Sequence, residues 1–407
     1  MEETFPQHIL TEILVRLPVE CLFRFRSVSK SWCALIDGPI FIKTHLKNSL
    51  QTKSTLSLIL TDPNPDFLYW ASFDSLSNAL QGNALTFHEL DYPFKGTFNA
   101  NSPNIRIVGS CNGLLCFGNA TGGTLLMNPF TRKHYVLPYL IMDANVKVKG
   151  KSIWGAWAFG FGYDSVNDDY KVVRLGQYAG LVEPYFDTET MVYSHKLNSW
   201  KNIPGMSYVL GSDQKMGLLV GDSLHWLVAR NKILQNPDLI VAFDLGVEKF
   251  REVPGPELAV GGQNPLLSLG AVEKWLSVYA IYKVGRLDIW AMKEYGVKGS
   301  WTRMFSFTPN VVPSLKCTRT LVFSKSGDEI LLGLLDKNLL WYSVKEKSVK
   351  KVEIHTVVDP FTVEVFSGSL VPLNVNVKKE TTAKKARPRK GRKNRDEFLS
   401  KDFKLIL

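Results

Sequence analysis

Seven histidines, five cysteines and thirty-eight acidic residues are the raw material for chemistry in this chain, and their spacing decides what they do. A zinc centre needs paired ligands such as HxxxH or CxxC. Here His8, His45, His88, His134, His195, His225 and His355 are scattered, and Cys21, Cys33, Cys111, Cys116 and Cys317 form no such pair. Gly160–Ser165 (GFGYDS) begins like a dinucleotide-binding turn but lacks the third glycine and a following helical pattern. No GxxxxGK[ST] loop and no GxSxG elbow occurs. Asp168 and Asp169 are adjacent on a polar turn, where neighbouring carboxylates point apart and face solvent. His225 lies in the strand-like run GDSLHWLV, which reads as a half-buried structural position rather than a base. No cofactor, metal or catalytic residue is expected. The chemistry implied is recognition between surfaces, so the elements that build those surfaces carry the argument.

The N-terminal segment FPQHILTEILVRLPVECLFRFRSVSKSWCALIDGPIFIKTH has more apolar surface than it can bury. Ile9, Leu10, Ile13, Leu14 and Leu17 recur at helical spacing and define one face. Pro18 ends that helix and is placed to open a second. Val28, Trp32, Leu35 and Ile36 repeat the spacing, with Ser27 positioned to cap a third. Three helices in about forty residues are too few to close a core alone. The surplus face reads as a docking surface.

These residues resemble the F-box. Pro6, Ile9, Glu12, Ile13, Leu14, Arg16, Leu17, Pro18, Val19, Leu22, Arg24, Phe25, Arg26, Val28, Ser29, Lys30, Trp32, Leu35 and Ile36 match its pattern. Phe5 stands where leucine is usual and His8 where an acid is common. The resemblance implies a Skp1-like adaptor as partner and, through it, a cullin–RING complex. The implied contact residues are Pro6, Ile9, Leu10, Ile13, Leu14, Leu17, Pro18, Leu22, Phe25, Val28 and Trp32.

Past residue 54 the character changes. Apolar runs of four to seven residues, rich in Val, Leu, Phe, Tyr and Trp, alternate with Gly, Asn, Asp and Pro clusters. The pairs TLLMNPFTRKHYVLP, VYSHKLNSWKNIP, VAFDLGVEKFREVP, IWAMKEYGVKGSWTRMF and LWYSVKEKSVKKVEI repeat a strand–turn–strand theme, the last four at a spacing near fifty. That period suits four-stranded blades of a kelch-like β-propeller. Residues 56–92 supply a sixth, irregular blade, and Thr362–Pro372 returns as a closing strand beside it. The same spacing also fits a β-sandwich. The expected fold class is therefore α+β: a helical module at 1–48, a mainly-β propeller at 54–375 and a basic tail at 378–407.

SCNGLLCF, MNPFTR, FGYDSVNDDYKVV, GDSLHWL and Phe243-Asp244-Leu245 resemble the F-box-associated type 1 domain of plant F-box proteins. They are fold-building residues; Asn112-Gly113, for instance, is a turn that wants positive φ. IWAMKEYGVKGSWTRMF and the ending RDEFLSKDFKLIL resemble the constitutive-expresser-of-pathogenesis-related-genes subgroup. The F-box resemblance implies a substrate receptor of an SCF ubiquitin ligase, and the subgroup likeness implies its client class. Its clients would be nucleotide-binding leucine-rich-repeat (NLR) immune receptors, and degrading them would restrain plant defence. Trp154, Trp157 and the Tyr178–Phe186 stretch are read as loop aromatics for client contact, with packing between blades as the alternative.

The formal charge of +11 is concentrated at the end: residues 378–404 hold twelve Lys/Arg against four acids, leaving a nearly neutral body. Lys384, Lys385, Arg387, Arg389, Lys390, Arg392, Lys393 and Arg395 form a nuclear-import candidate. Binding of an anionic membrane or nucleic acid, or plain solubilisation, fits the same residues. No apolar run reaches the ~20 residues that span a bilayer. The acidic start MEETFPQH is not a secretory signal, so cytoplasm and nucleus are the expected locations. The alternative function is a non-ligase scaffold, or a nucleic-acid-associated propeller, working through the tail.

Overall fold

A six-residue turn recurs around this chain and explains its architecture. Asn128, Asp164, Ser194, Asp244 and Ser343 each end a strand and turn the side chain back to accept from backbone N–H groups two or three residues on. The fourth residue after each (Arg132, Asp168, Asn198, Glu248, Lys347) takes a left-handed φ of 51–56°. Short Asn, Asp and Ser side chains favour such turns because they replace a missing backbone partner.

The computed structural model describes residues 6–61, 68–73, 75–76, 87–90, 106–119, 122–140, 153–180, 186–211, 215–230, 237–258, 265–283, 285–308, 317–324, 326–334, 339–352 and 362–373. Helices α1 (Gln7–Leu14), α2 (Val19–Phe25), α3 (Lys30–Ile36) and α4 (Pro39–Thr52) come first. Strands β1 (Leu56–Thr61), β2 (Leu68–Ser72) and β3 (His88–Glu89) open the first blade. The second holds β4 (Arg106–Cys111), β5 (Leu114–Gly118), β6 (Thr124–Asn128) and β7 (Lys133–Val136). The third holds β8 (Ile153–Asp164), β9 (Asp169–Gly180), β10 (Phe186–Ser194) and β11 (Ser199–Ile203). In the fourth are β12 (Val209–Leu210), β13 (Leu218–Val220), β14 (Ser223–Ala229), β15 (Leu239–Asp244) and β16 (Lys249–Val253). The fifth has β17 (Leu266–Val272), β18 (Trp275–Ile281), β19 (Leu287–Met292) and β20 (Trp301–Phe307). The sixth has β21 (Cys317–Phe323), β22 (Glu329–Leu334), β23 (Leu339–Ser343) and β24 (Ser348–Val352), after which β25 (Thr362–Ser367) returns.

The five strand pairs read from sequence are the outer hairpins of blades two to six. The closing strand is also where it was expected, since β25 pairs antiparallel with β1 from Leu56↔Ser367 to Thr61↔Thr362. Innermost strands meet in the order β25, β4, β8, β13, β17, β21 and back to β25, which is a closed ring and not a sandwich. Six blades result. The reason is burial: β5, β6 and β14 are covered on both faces along their whole length. A sheet apolar on both faces needs a neighbour on each side, and a ring supplies both. Each of six apolar clusters accordingly joins two successive blades. Polar staples add to them. Lys171 Nζ reaches Asp164 at 2.7 Å, Glu248 at 2.8 Å and the Leu245 carbonyl at 2.6 Å, tying blade three to blade four. Asp168 and Asp169 do point apart, but Asp169 is buried, accepting from Ser194 Oγ and the Lys196 amide.

Trp154 and Trp157 lie on strand β8, and Tyr178 on β9, so these three residues are not in loops. Trp157 packs against Tyr178 at 5.8 Å and takes the Arg174 guanidinium on its face at 4.9 Å. The glycines at 155, 160 and 162 disguised the alternation of that strand. Gly160 and Gly162 are there because a Cβ would strike Leu224, Leu219 and Leu245 of the next blade.

A cavity of about 470 Å³ runs inside the inner strands, with Val108, Phe161, Ala271, Val322 and Val365 on its wall. Leu50 and Lys53, at the end of α4, cover one mouth. Ion pairs Lys43–Asp168 (2.9 Å) and Lys53–Glu273 (2.6 Å) set α4 across the turns between first and second strands of blades three and five. Exposed pairs of this kind add little energy but fix register.

The closing segment is held by one amide. Asn128 is fully buried, and its Nδ2 donates to the Ser369 carbonyl at 3.0 Å and the Val371 carbonyl at 2.9 Å. Ser369 Oγ donates to the Asn112 carbonyl at 2.7 Å, so close that a Cβ on Gly113 would lie 2.1 Å from that oxygen. Asn128→Ala strands two buried carbonyls and removes the turn cap, a cost of roughly 2–4 kcal/mol. Its melting temperature, read by differential scanning fluorimetry, is expected to fall by several degrees; an unchanged melt contradicts this role.

Candidate functional site

The helical module is built around a small interior. Leu14, Val15, Val19, Leu22, Ile36 and Phe41 are buried together. Two residues from the ring complete that interior: Leu370, just past β25, and Phe130, in the β6–β7 turn. Three helices alone do lack a core, and the ring supplies the missing part, together with α4. Leu14 and Leu22, named among the contact residues, are 1% and 0% exposed and serve this interior instead.

The other residues of that set are exposed or half-buried. Ile9 is 40%, Ile13 49% and Val28 60% exposed, and all three are large apolar side chains left in water. Pro6 and Pro18 are exposed, while Leu10, Leu17, Phe25 and Trp32 are half-buried and pack against the interior. Phe25 meets the edge of Trp32 at 5.6 Å, which fixes both rings. Finishing the burial of Ile9, Ile13 and Val28 in a partner yields roughly 1–2 kcal/mol apiece. Residues 6–36, which carry these side chains, hold four Lys/Arg and two acids, so the surface is apolar and weakly basic.

Local details differ from expectation by a residue or two. Ser29, not Ser27, caps α3, its Oγ accepting from the Trp32 amide at 3.1 Å. Ser29 is the serine immediately before the helical run, where a cap must sit. Pro18 is the residue before the first turn of α2, which begins at Val19.

The sequence reading missed what holds the turn between α1 and α2. Helix α1 ends with unpartnered carbonyls, as every helix does. Asn48 Nδ2 donates to the Val15 carbonyl at 3.1 Å, and His45 Nε2 to the Leu17 carbonyl at 2.9 Å. Both donors stand on α4, one turn apart. His45 is fully buried and its ring stacks on Phe41. A buried His and Ser49 on one helix face was the available signal, since buried polar side chains need partners.

Burial lowers the pKa of His45 below its ordinary value, against the opposing pull of the Leu17 carbonyl. His195 is lowered the same way. His225 is fully buried and pushed down to about 4. It is a staple rather than a base, bonded to the Leu218 carbonyl and to Tyr295 Oη at 2.6 Å, with Arg251 donating to the same oxygen at 3.0 Å. Among the described residues no group of three or more His, Cys, Asp or Glu is placed to hold a metal ion. No described helix is long and apolar enough to cross a membrane. The import candidates, Lys384 to Arg395, lie outside the described residues.

Comparison with protein families matches residues 3–44 to the F-box domain and residues 73–373 to the F-box associated beta propeller domain. The chain belongs to the F-box proteins with an F-box-associated β-propeller. Three relatives from Arabidopsis thaliana illustrate the similarity. F-box protein CPR1 is 34% identical over 99% of this chain and 100% of its own length. F-box protein At4g22390 is 29% identical over 99% of each. F-box/kelch-repeat protein At3g23880 is 29% identical over 74% of this chain and 79% of its own. The F-box match supports a Skp1-type adaptor with its cullin as the kind of partner.

Burial lowers the pKa of all three buried histidines in the fold, whereas in the unfolded chain they titrate near 6.5. As pH falls below 6.5 the unfolded chain gains protons that the fold refuses, so stability is full above that pH and declines toward about 4. Thermal melts at pH 7.5, 6 and 5 are expected to show a stepwise fall; a flat melting temperature across that window contradicts the assignment.

Proposed function

We propose that this chain is the substrate-recognition subunit of an SCF ubiquitin ligase. The observation that carries the reading is a face of exposed isoleucines and valine on a helical module whose interior is already filled. Such a face gains nothing from further packing within the chain and gains from a partner. The chain contributes no bond-making group in this scheme. Tethering raises the effective concentration of a client lysine near the charged conjugating enzyme, and transfer follows.

The client meets the other side of the ring. Successive strands in a blade are antiparallel, so connections alternate between its two edges. Turns β4–β5, β6–β7, β8–β9 and β17–β18 lie on the edge covered by α4 and the F-box. The described ends of β7, β9, β16 and β20 lie at the opposite edge. Client binding there keeps it clear of the adaptor. In this reading the client is an NLR immune receptor and its degradation restrains plant defence, as the likeness to the constitutive-expresser subgroup implies. Residues 384–395 then serve nuclear import, giving a protein of cytoplasm and nucleus.

Ile13→Asp puts a charge on the exposed face without entering the core. It is expected to reduce capture of a plant Skp1-like adaptor at least tenfold in a pull-down or by calorimetry, with the melting temperature within a degree or two of the parent. Undiminished capture contradicts the reading. Deleting residues 378–407 is expected to remove the nuclear fraction of a fluorescent fusion and spare adaptor capture; an unchanged nuclear signal removes the import role.

A further inference from the structure

Between α2 and the ring lies a groove of about 230 Å³, walled by Trp70, Leu90, Phe130 and Phe366, with Glu20, Glu89 and Arg132 as its charged lining. That volume falls below the ~300–1,000 Å³ of pockets that take free small molecules and suits one leucine-sized or aromatic side chain. Its walls are set rigidly. The Phe130 ring stacks on Phe366 at 5.9 Å with 4° between planes, and Trp70 meets Phe130 edge-on at 5.6 Å. Phe130 also reaches into the F-box interior, so the groove belongs to neither module alone.

Its position indicates the occupant. Glu20 is in the first turn of α2, two residues beyond Pro18, so the groove opens beside the α1–α2 turn of the adaptor-facing surface. Arg132 is exposed, held at a φ of 55°, and has no carboxylate partner among the described residues. Residues 6–36 beside it carry four Lys/Arg against two acids, so the adjoining helices share the sign of Arg132. We infer that the Skp1-like adaptor seated on α1–α3 also inserts an apolar side chain into this groove and sets a carboxylate against Arg132. The propeller is then part of the adaptor interface, and the adaptor reads whether ring and F-box are correctly joined. This rests on the adaptor reading above.

The test is calorimetry of the full chain against a purified plant Skp1-like adaptor. Arg132→Gly removes the guanidinium at a backbone position that glycine prefers, so the fold keeps or gains stability. It is expected to weaken adaptor binding three- to tenfold, and Trp70→Ala by tenfold or more. A photoreactive phenylalanine at position 132 is expected to cross-link to the adaptor. Parental affinity in Arg132→Gly, together with no cross-link to the adaptor, overturns the inference even where Trp70→Ala fails to fold. Absence of any binding by the parent chain is a different result, which defeats the adaptor reading itself and this inference with it.

Discussion

The packing of Leu370 into the F-box interior is the contact on which the rest of this molecule depends. It follows the last strand of the ring, yet it completes the first domain of the chain. About forty residues in three helices bury too little apolar surface to hold themselves together. Helix α4 and the segment after β25 supply the shortfall. The buried amide of Asn128 grips the carbonyls on either side of Leu370, so ring closure and F-box completion are one event.

A mechanical consequence follows. A receptor that works by proximity needs a fixed distance between the ligase it holds and the client it presents. Flexible linkage would spread that distance; here α4 lies across the mouth of the ring and bonds the α1–α2 turn through His45 and Asn48. The exposed face is thus referenced to the blades through side-chain contacts rather than through a linker. The same arrangement leaves the ring with two unlike edges, one of them carrying the F-box.

Much of this was legible from residue types. The F-box residues and the hairpins around Asn128-Pro129 and Asp244-Leu245 announced both folds, and Thr362–Pro372 announced the closing strand. The turn chemistry behind the repeat was less visible, because Asn, Asp and Ser share one geometric role without sharing identity. Trp157 misled because glycines around it broke the alternation that marks a strand, although close packing with the next blade is why they are glycines. Leu14 and Leu22 misled differently. Helical spacing identifies an apolar stripe but not which part of it faces a partner, and that division is set by Leu370 and Phe130, hundreds and scores of residues away. His45 and Asn48 carried no motif, only polarity on a buried helix face.

The F-box is held in shape by the far end of the ring. Hydrogen exchange on the full chain tests it most directly, comparing the parent with Leu370→Asp. Amides of α1 and α2 are expected to lose protection by an order of magnitude or more while those of β14 and β15, on the other side of the ring, keep theirs. Unchanged protection in α1 and α2 would contradict it, because the helices would then be stable without the residue said to complete them.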